Sequence, residues 1–218
     1  MKDIQEITKE IKRSFRLMMD GATAQSMRQK GLEYKLNWGS TIPRLRQMAE
    51  EIKAKYGATP EADSMLYSLS ISLWKENVRE CKLLATMLMP PEKMLPEVAD
   101  IWMEQTTQIE VAEQAALNLY QHLPYAAEKA FLWIASSEVI PQICGYHVLS
   151  RLFMNKQEPN ERGINEFIDQ ALSALNSSSI TLQKAAMQAI LRFADLGILY
   201  RRIAVSATKR AGYDFGIY

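Results

Sequence analysis

The sequence contains little of what would indicate a metal-binding, disulfide-bonded or cofactor-dependent protein. It has two cysteines and two histidines in 218 residues. Cys81 and Cys144 lie in apolar helical patterns without C-x-x-C spacing, so we predict buried thiols in a reducing compartment. His122 and His147 have no partner at the spacing of metal ligands. Phosphate-binding and nucleophile-elbow glycine motifs are also missing, so we expect no metal and no cofactor.

Long apolar runs and targeting signals are missing as well. The longest apolar stretch, around Leu83 to Met89, is far shorter than the ~20 residues that a membrane-spanning helix needs. The charged N-terminal residues contain no apolar core of a signal peptide. We therefore expect a cytoplasmic protein that does not span a membrane.

The chain also lacks an excess of either charge. Its 26 basic residues nearly cancel 25 acidic ones, so a nucleic-acid surface would have to come from local clustering. The densest basic region is interrupted only by Glu33 and consists of Arg28, Lys30, Lys35, Arg44 and Arg46. It is either a surface that binds DNA phosphates or an ordinary solvated surface. A second basic cluster, from Arg201 to Arg210, is expected to lie near the C-terminal end of a helix, where positive charge is favourable.

Alternation of period two is nearly absent, whereas apolar residues recur every three or four positions, which indicates helices throughout. Gly31 is predicted to end a short helix that begins near Ala22. Ser40 or Thr41 would cap the next helix, with Pro43 in its first turn and its end near Tyr56. Thr59-Pro60-Glu61 would begin another helix in the same way.

From residue 58 onward, a helix pair repeats four times. Trp74, Trp102, Trp133 and Leu175 occupy equivalent positions, separated by steps of 28, 31 and 42 residues. One helical hairpin does not bury its own apolar face, so hairpins stack. The pattern predicts an all-α superhelix (solenoid) of HEAT-like helical-hairpin repeats, with about 10–12 helices. We expect one domain over residues 1–218, with a helical cap at 1–57, hairpins at 58–210 and an aromatic tail at 211–218.

Three groups of residues follow one another in an order known from one family. They are Lys35 to Arg46, then Leu73-Trp74 with Arg79-Glu80, and finally Trp133 to Ser136 with Leu182 to Ala185. In this order the chain resembles the HEAT-like-repeat DNA alkylation repair (alkylpurine DNA glycosylase) family. The resemblance implies a concave basic cleft for duplex DNA, aromatic side chains and one Asp at the damaged nucleotide, and an Arg on the DNA backbone. Aromatic faces attract a cationic base, and a carboxylate stabilises the sugar as its bond to the base breaks.

Carried over by position, several of the family's functional residues differ here. Ile109 and Glu113 stand where the resemblance implies Trp and Asp, Ile143 stands for the Arg, and Gln188 stands for the second aromatic residue. The resemblance therefore predicts a divergent member with absent or altered glycosylase activity. Glu113 is the candidate catalytic residue, and the cleft would be lined by Ile109, Glu110, Ile143 and Gln188. The candidate DNA-binding residues are Arg28, Lys35, Trp38, Arg44, Arg46 and Lys184.

Some assignments remain open between structural and functional roles. The three repeating tryptophans are predicted to pack in the core, whereas Trp38, in a loop, favours packing and function equally. Glu110 and Glu113, one helical turn apart, are either solvated or paired for acid–base work. As a whole, the chain is either a DNA-binding protein of the alkylation repair type or a non-enzymatic scaffold for a protein or peptide partner.

Overall fold

A computed structural model describes residues 3–56 and 62–213 of the chain. These residues form two short 3₁₀ helices, Pro91–Lys93 and Tyr120–His122, no β-strand, and twelve α-helices. The α-helices are α1 Ile4–Leu17, α2 Gly21–Gln29, α3 Ile42–Tyr56, α4 Ala62–Lys75, α5 Arg79–Leu88, α6 Pro96–Glu104, α7 Ile109–Asn118, α8 Ala126–Ile134, α9 Val139–Met154, α10 Glu161–Leu175, α11 Ile180–Ala194 and α12 Ile198–Arg210. The predicted helix start at Thr59-Pro60-Glu61 and most of the aromatic tail lie outside the described residues.

Short-range signals account for the boundaries of the N-terminal helices. Asp20 caps α2, because its carboxylate accepts a hydrogen bond from Thr23 N at 2.9 Å. Gly31 follows the end of α2 with φ +86°, a conformation that glycine adopts without strain. Pro43 is the second residue of α3, where its missing N–H leaves no helical hydrogen bond unmade. The predicted ends of both helices are confirmed to within a residue.

The four predicted hairpins coincide with consecutive helix pairs. They are α4–α5, α6–α7, α8–α9 and α10–α11, preceded by α1 to α3 and followed by α12. The chain divides into two compact units, Met1–Leu119 and Tyr120–Tyr218, so each unit contains two of the pairs. The expectation of one domain stays a prediction. Within the described residues, every helix is too short or too polar to cross a membrane.

Tryptophan packing organises the core of the first unit. α5 packs against α3, α4 and α7. The rings of Trp74 and Trp102 are stacked, with centroids 4.1 Å apart and planes within 2°. Only 2% of either residue is exposed. The predicted core role of the repeating tryptophans is confirmed here, since stacking joins α4 to α6.

Aromatic rings and one close helix contact organise the second unit. Phe153, Phe167 and Phe193 form a cluster with centroids 5.1–5.6 Å apart. Trp133 is 6% exposed and lies against Tyr120, so it too is a core residue. Gly145 allows α9 to approach α8, because a Cβ at this position would lie 2.8 Å from the carbonyl oxygen of Ala130.

Candidate nucleic-acid interface

A buried arginine joins three segments of the first unit. Arg79, the first residue of α5, is 1% exposed. Its Nε and Nη2 donate to the two carboxylate oxygens of Glu110 at 2.8 and 2.5 Å, and its Nη1 donates to the carbonyl oxygen of Ser40 at 2.7 Å. Such a bidentate pair is among the stronger and more directional contacts in proteins. α5, α7 and the loop before α3 are therefore tied to one guanidinium group.

The next residue, Glu80, holds the same loop by its backbone. Glu80 is completely buried, and its Oε1 accepts hydrogen bonds from the N–H groups of Trp38 and Ser40, both at 3.1 Å. The N–H of Arg79 donates in turn to the carbonyl oxygen of Leu36 at 3.0 Å. We call residues 36–40, held by Arg79 and Glu80, the clamped loop. The clamp satisfies buried backbone groups that would otherwise lack partners.

Close packing at Gly39 completes the clamped loop. Gly39 has φ +82°, and a Cβ there would lie 2.2 Å from the carbonyl oxygen of Asp20. Only glycine lets the loop approach the start of α2 so closely. The Trp38 ring is 7% exposed and lies 5.9 Å from the ring of Phe15. Its inclusion among the DNA-contacting side chains is corrected, because a buried ring does not reach a nucleotide.

The electrostatics of the clamp favour the protonated forms of Tyr34 and Arg79. Tyr34 donates to Glu110 Oε2 at 2.8 Å. Burial and the negative charge of Glu110 raise the pKa of Tyr34 well above its ordinary value. Burial disfavours the charged guanidinium, but the hydrogen bonds and charges of Glu110, with Glu80, raise the pKa of Arg79. Glu110 is therefore engaged by Arg79 and Tyr34, and 17% of its side chain remains exposed.

The predicted basic residues of the N-terminal region lie on both sides of the clamped loop. All five are exposed, and none forms an ion pair with a carboxylate within the described chain. We call this set the basic segment: Arg28 in the last turn of α2, Lys30 and Lys35 before the loop, and Arg44 and Arg46 in the first turns of α3. The clamp thus holds the loop that lies, along the chain, between the two groups of cations.

The positions assigned to catalysis and to the cleft belong to both units. Ile109 begins α7 and Glu113 lies one turn later, both partly exposed. Lys184 and Gln188 are exposed on α11 in the second unit, one helical turn apart. Ile143 is completely buried in α9, so its assignment as a cleft-lining residue is wrong. Its aliphatic side chain packs in the core, where an arginine in contact with DNA would not lie.

The tryptophans leave no indole face for a damaged base. All four are at least 93% buried, since their exposed fractions are 7% for Trp38, 2% for Trp74, 2% for Trp102 and 6% for Trp133.

Both cysteines are also buried, and burial raises the pKa of Cys81 to about 12. Within residues 3–56 and 62–213, no group of three or more His, Cys, Asp or Glu side chains is placed to hold a metal ion.

Comparison with known proteins identifies the family. The family model described as DNA alkylation repair enzyme matches residues 11–195, and the protein belongs to this family. A solved structure, from work on a new family of proteins related to the HEAT-like repeat DNA glycosylases with affinity for branched DNA structures, is similar over 94% of this chain and 83% of its own length. The TM-score is 0.77 at 15% identity, which confirms the all-α, HEAT-like repeat fold. No curated protein matches the sequence.

The clamp was not foreseen from the sequence, although its residues were noticed. The groups Lys35 to Arg46 and Leu73-Trp74 with Arg79-Glu80 carry the family likeness, and the structure brings Trp38 and Ser40 of the first into contact with Arg79 and Glu80 of the second. The available signal was the presence of Arg-Glu, two oppositely charged residues, in an apolar helical stretch. Charged residues are rarely buried unless they are paired. Their partners lie 31 to 42 residues away, so spacing along one helix did not reveal them.

Proposed function

We propose that this protein binds DNA through the basic segment and does not excise bases. The observation that carries the proposal is that five exposed cations without carboxylate partners flank a loop held by the Arg79–Glu80 clamp. Membership of the DNA alkylation repair family favours this function over a protein-binding scaffold.

The physical basis of binding is neutralisation of DNA phosphates. Each phosphate neutralised by Lys or Arg releases condensed counterions, so the logarithm of the binding constant falls by ~0.9 per tenfold rise in salt. Arg28 and Arg44 belong to different helices that flank one fixed loop. Because the clamp already orders that loop, binding requires less loss of conformational entropy.

Branched DNA is a second candidate ligand beside duplex DNA. The structurally similar protein comes from a family with affinity for branched DNA structures. Contacts to phosphates carry no sequence information, so the basic segment would bind either form through its backbone. We propose phosphate-directed binding in both cases, with the preference between duplex and junction left to measurement.

Base excision is excluded from the proposal for a chemical reason. Recognition of an alkylated, cationic base uses an aromatic face, and all four tryptophans are buried. Ile109 and Gln188 provide no π face at the positions where the family resemblance implies aromatic side chains. Glu113 retains a carboxylate, but a carboxylate alone does not hold the base.

The test is fluorescence anisotropy with labelled duplex and four-way-junction DNA at several salt concentrations. We expect salt-dependent binding that is weakened by Arg44→Glu and Arg46→Glu, singly and together. Lys93→Glu is the matched control, because Lys93 is an exposed lysine of the first unit outside the basic segment. Absence of binding to either DNA at low salt, or equal losses in the control and in the Arg variants, would refute the proposal.

Excision is measured on the same preparations as release of alkylated purines from methylated DNA. We expect no release above that from DNA alone. Release by the wild-type protein that disappears in Glu113→Gln would show an active glycosylase and overturn the non-excising part of the proposal.

A further inference from the structure

A cavity opens in the first unit between two helix corners. Its volume is about 450 Å³. One wall is the corner that joins α4 to α5, and the other is the corner that joins α6 to α7. The lining groups used below are Trp74, Lys75, Asn77, Lys82, Thr107 and Gln108. The cavity is distinct from the basic segment, none of whose five residues lines it.

The two lysines of the cavity have no carboxylate to neutralise them. No Asp or Glu lines the cavity, and within the described residues neither Lys75 nor Lys82 forms an ion pair. Glu76 is held by Lys12 at 2.6 Å, and Glu110 by Arg79 at 2.5 Å. These two carboxylates therefore have cations of their own.

Lys82 is partly removed from water, which increases its need for an anion. Its residue is half-buried, and its Nζ lies 4.2 Å from the ring centroid of Trp74. Burial lowers the pKa of Lys82 below its ordinary value, because desolvation disfavours the ammonium form. A half-buried ammonium group without a counter-charge is stabilised when an anion binds beside it.

The two helix starts at this edge add positive potential. α5 and α7 begin beside the cavity, and their N-cap residues, Val78 and Gln108, make no side-chain capping hydrogen bond. The N-terminal end of a helix carries a partial positive charge that favours anions. The hydroxyl of Thr107 and the amide of Asn77 supply hydrogen-bond donors at the same cavity.

The aromatic ring in the cavity does not provide a site for a base. Trp102 stacks on the Trp74 ring at 4.1 Å, and Lys82 covers the ring as well. The Trp74 Nε1–H donates to Gln105 Oε1 at 2.8 Å. A nucleobase would have to displace one of these groups, whereas a compact anion would meet the lysines and the amide directly.

We infer that this cavity is a phosphate-binding site, formed by Lys75, Lys82 and Asn77, which takes a backbone phosphate of bound DNA. The inference rests on the proposed DNA-binding function and adds a contact outside the basic segment. The same chemistry would also hold free inorganic phosphate, so the experiment separates the two sources.

The first experiment measures the salt dependence of DNA binding in Lys82→Gln and Lys75→Gln. Loss of one phosphate contact lowers the slope of log K against log salt by ~0.9 and weakens binding about eightfold near 0.1 M salt. Lys82→Arg, which keeps the charge, is expected to restore the slope, and Lys93→Gln is the matched lysine control. Circular dichroism establishes that each variant is folded, and exposed Lys75 provides the informative variant if Lys82→Gln does not fold.

The second experiment adds inorganic phosphate to protein labelled with ¹⁵N-tryptophan. Binding beside Lys82 is expected to shift the Trp74 indole resonance and to leave that of Trp133 unchanged. If DNA binds but the lysine variants behave like Lys93→Gln, the inference is overturned and the proposed function stands. If DNA does not bind but phosphate shifts Trp74, the proposed function fails and the cavity is a site for free phosphate. If neither ligand binds, both are overturned.

Discussion

Replacement of Arg79 by methionine tests whether the clamp stabilises the first unit. Methionine fills a similar volume but removes two hydrogen bonds to Glu110 and one to Ser40. It also leaves Glu80 as a completely buried carboxylate without its cation neighbour, whose Nη1 lies 3.5 Å from Glu80 Oε1. Two charge-assisted bonds at about 1.5–3 kcal/mol each give about 3–6 kcal/mol, and breaking one side of a buried pair costs about 3–5 kcal/mol. We expect a loss of about 3–5 kcal/mol in the free energy of unfolding.

The assay is urea unfolding followed by tryptophan fluorescence. Three of the four tryptophans, at positions 38, 74 and 102, lie in the first unit, so the signal reports mainly on that unit. In a thermal scan, the same loss corresponds to roughly 6–20 °C in Tm.

Two lysine–glutamate ion pairs of the first unit, which differ in their exposure to solvent, provide controls. Lys53 pairs with Glu50 at 3.3 Å on an exposed surface, with 42% of its side chain accessible, and such pairs contribute about 0–1 kcal/mol. Lys12 pairs with Glu76 at 2.6 Å with 34% accessible, and its replacement is expected to have an intermediate effect. If Arg79→Met costs no more than Lys53→Met, the clamp does not hold the loop in the way we describe. The double variant Arg79→Met/Glu110→Gln completes a double-mutant cycle. The stability that it recovers relative to Arg79→Met measures the coupling energy between Arg79 and Glu110.

Two further predictions concern the clamped loop and its tyrosine neighbour. Gly39→Ala is expected to cost at least about 2 kcal/mol, from the strain of φ +82° and the contact with Asp20, as measured by urea unfolding. Gly31→Ala is the control, since φ is +86° there but nothing lies within 4 Å, and equal losses in the two variants would contradict the role of close packing. The raised pKa of Tyr34 contributes stability that is complete below its ordinary value of 10.0 and is lost as the pH rises above it, by up to about 1.4 kcal/mol per pH unit. Unfolding of Tyr34→Phe between about pH 9 and pH 11 should show a weaker alkaline decline, and an unchanged decline would contradict burial of this hydroxyl against Glu110.

The residues that carry the family likeness have a structural task in this protein. The groups around Trp38 and around Arg79-Glu80 contact each other and fix the start of α3. They therefore define the local fold around the clamped loop. Excision chemistry depends on other positions, of which Ile109 and Gln188 depart from the pattern that the resemblance implies.

Local features of the sequence were sufficient to predict the helices and their pairing. Gly31 and Pro43 act through neighbouring backbone groups, so their effect can be predicted without tertiary structure. The repeated tryptophans predicted core positions, because a large apolar ring at the same place in each hairpin has one common environment. Both interpretations of the basic segment, as a DNA-binding surface or as a solvated surface, predicted that its residues are exposed.

The partners of individual side chains depended on tertiary structure. Glu110 could be solvated or paired with Glu113 by helical spacing, but packing of α5 against α7 places it beside Arg79 instead. Trp38 lies in a loop, and only its contact with Phe15 makes it a core residue. Local spacing reports which residues share a face of one helix, whereas charge pairing and burial depend on groups that are distant in sequence. The sequence alone therefore determined the all-α hairpin architecture, and the tertiary structure decided which charges are buried in the clamp and which remain exposed.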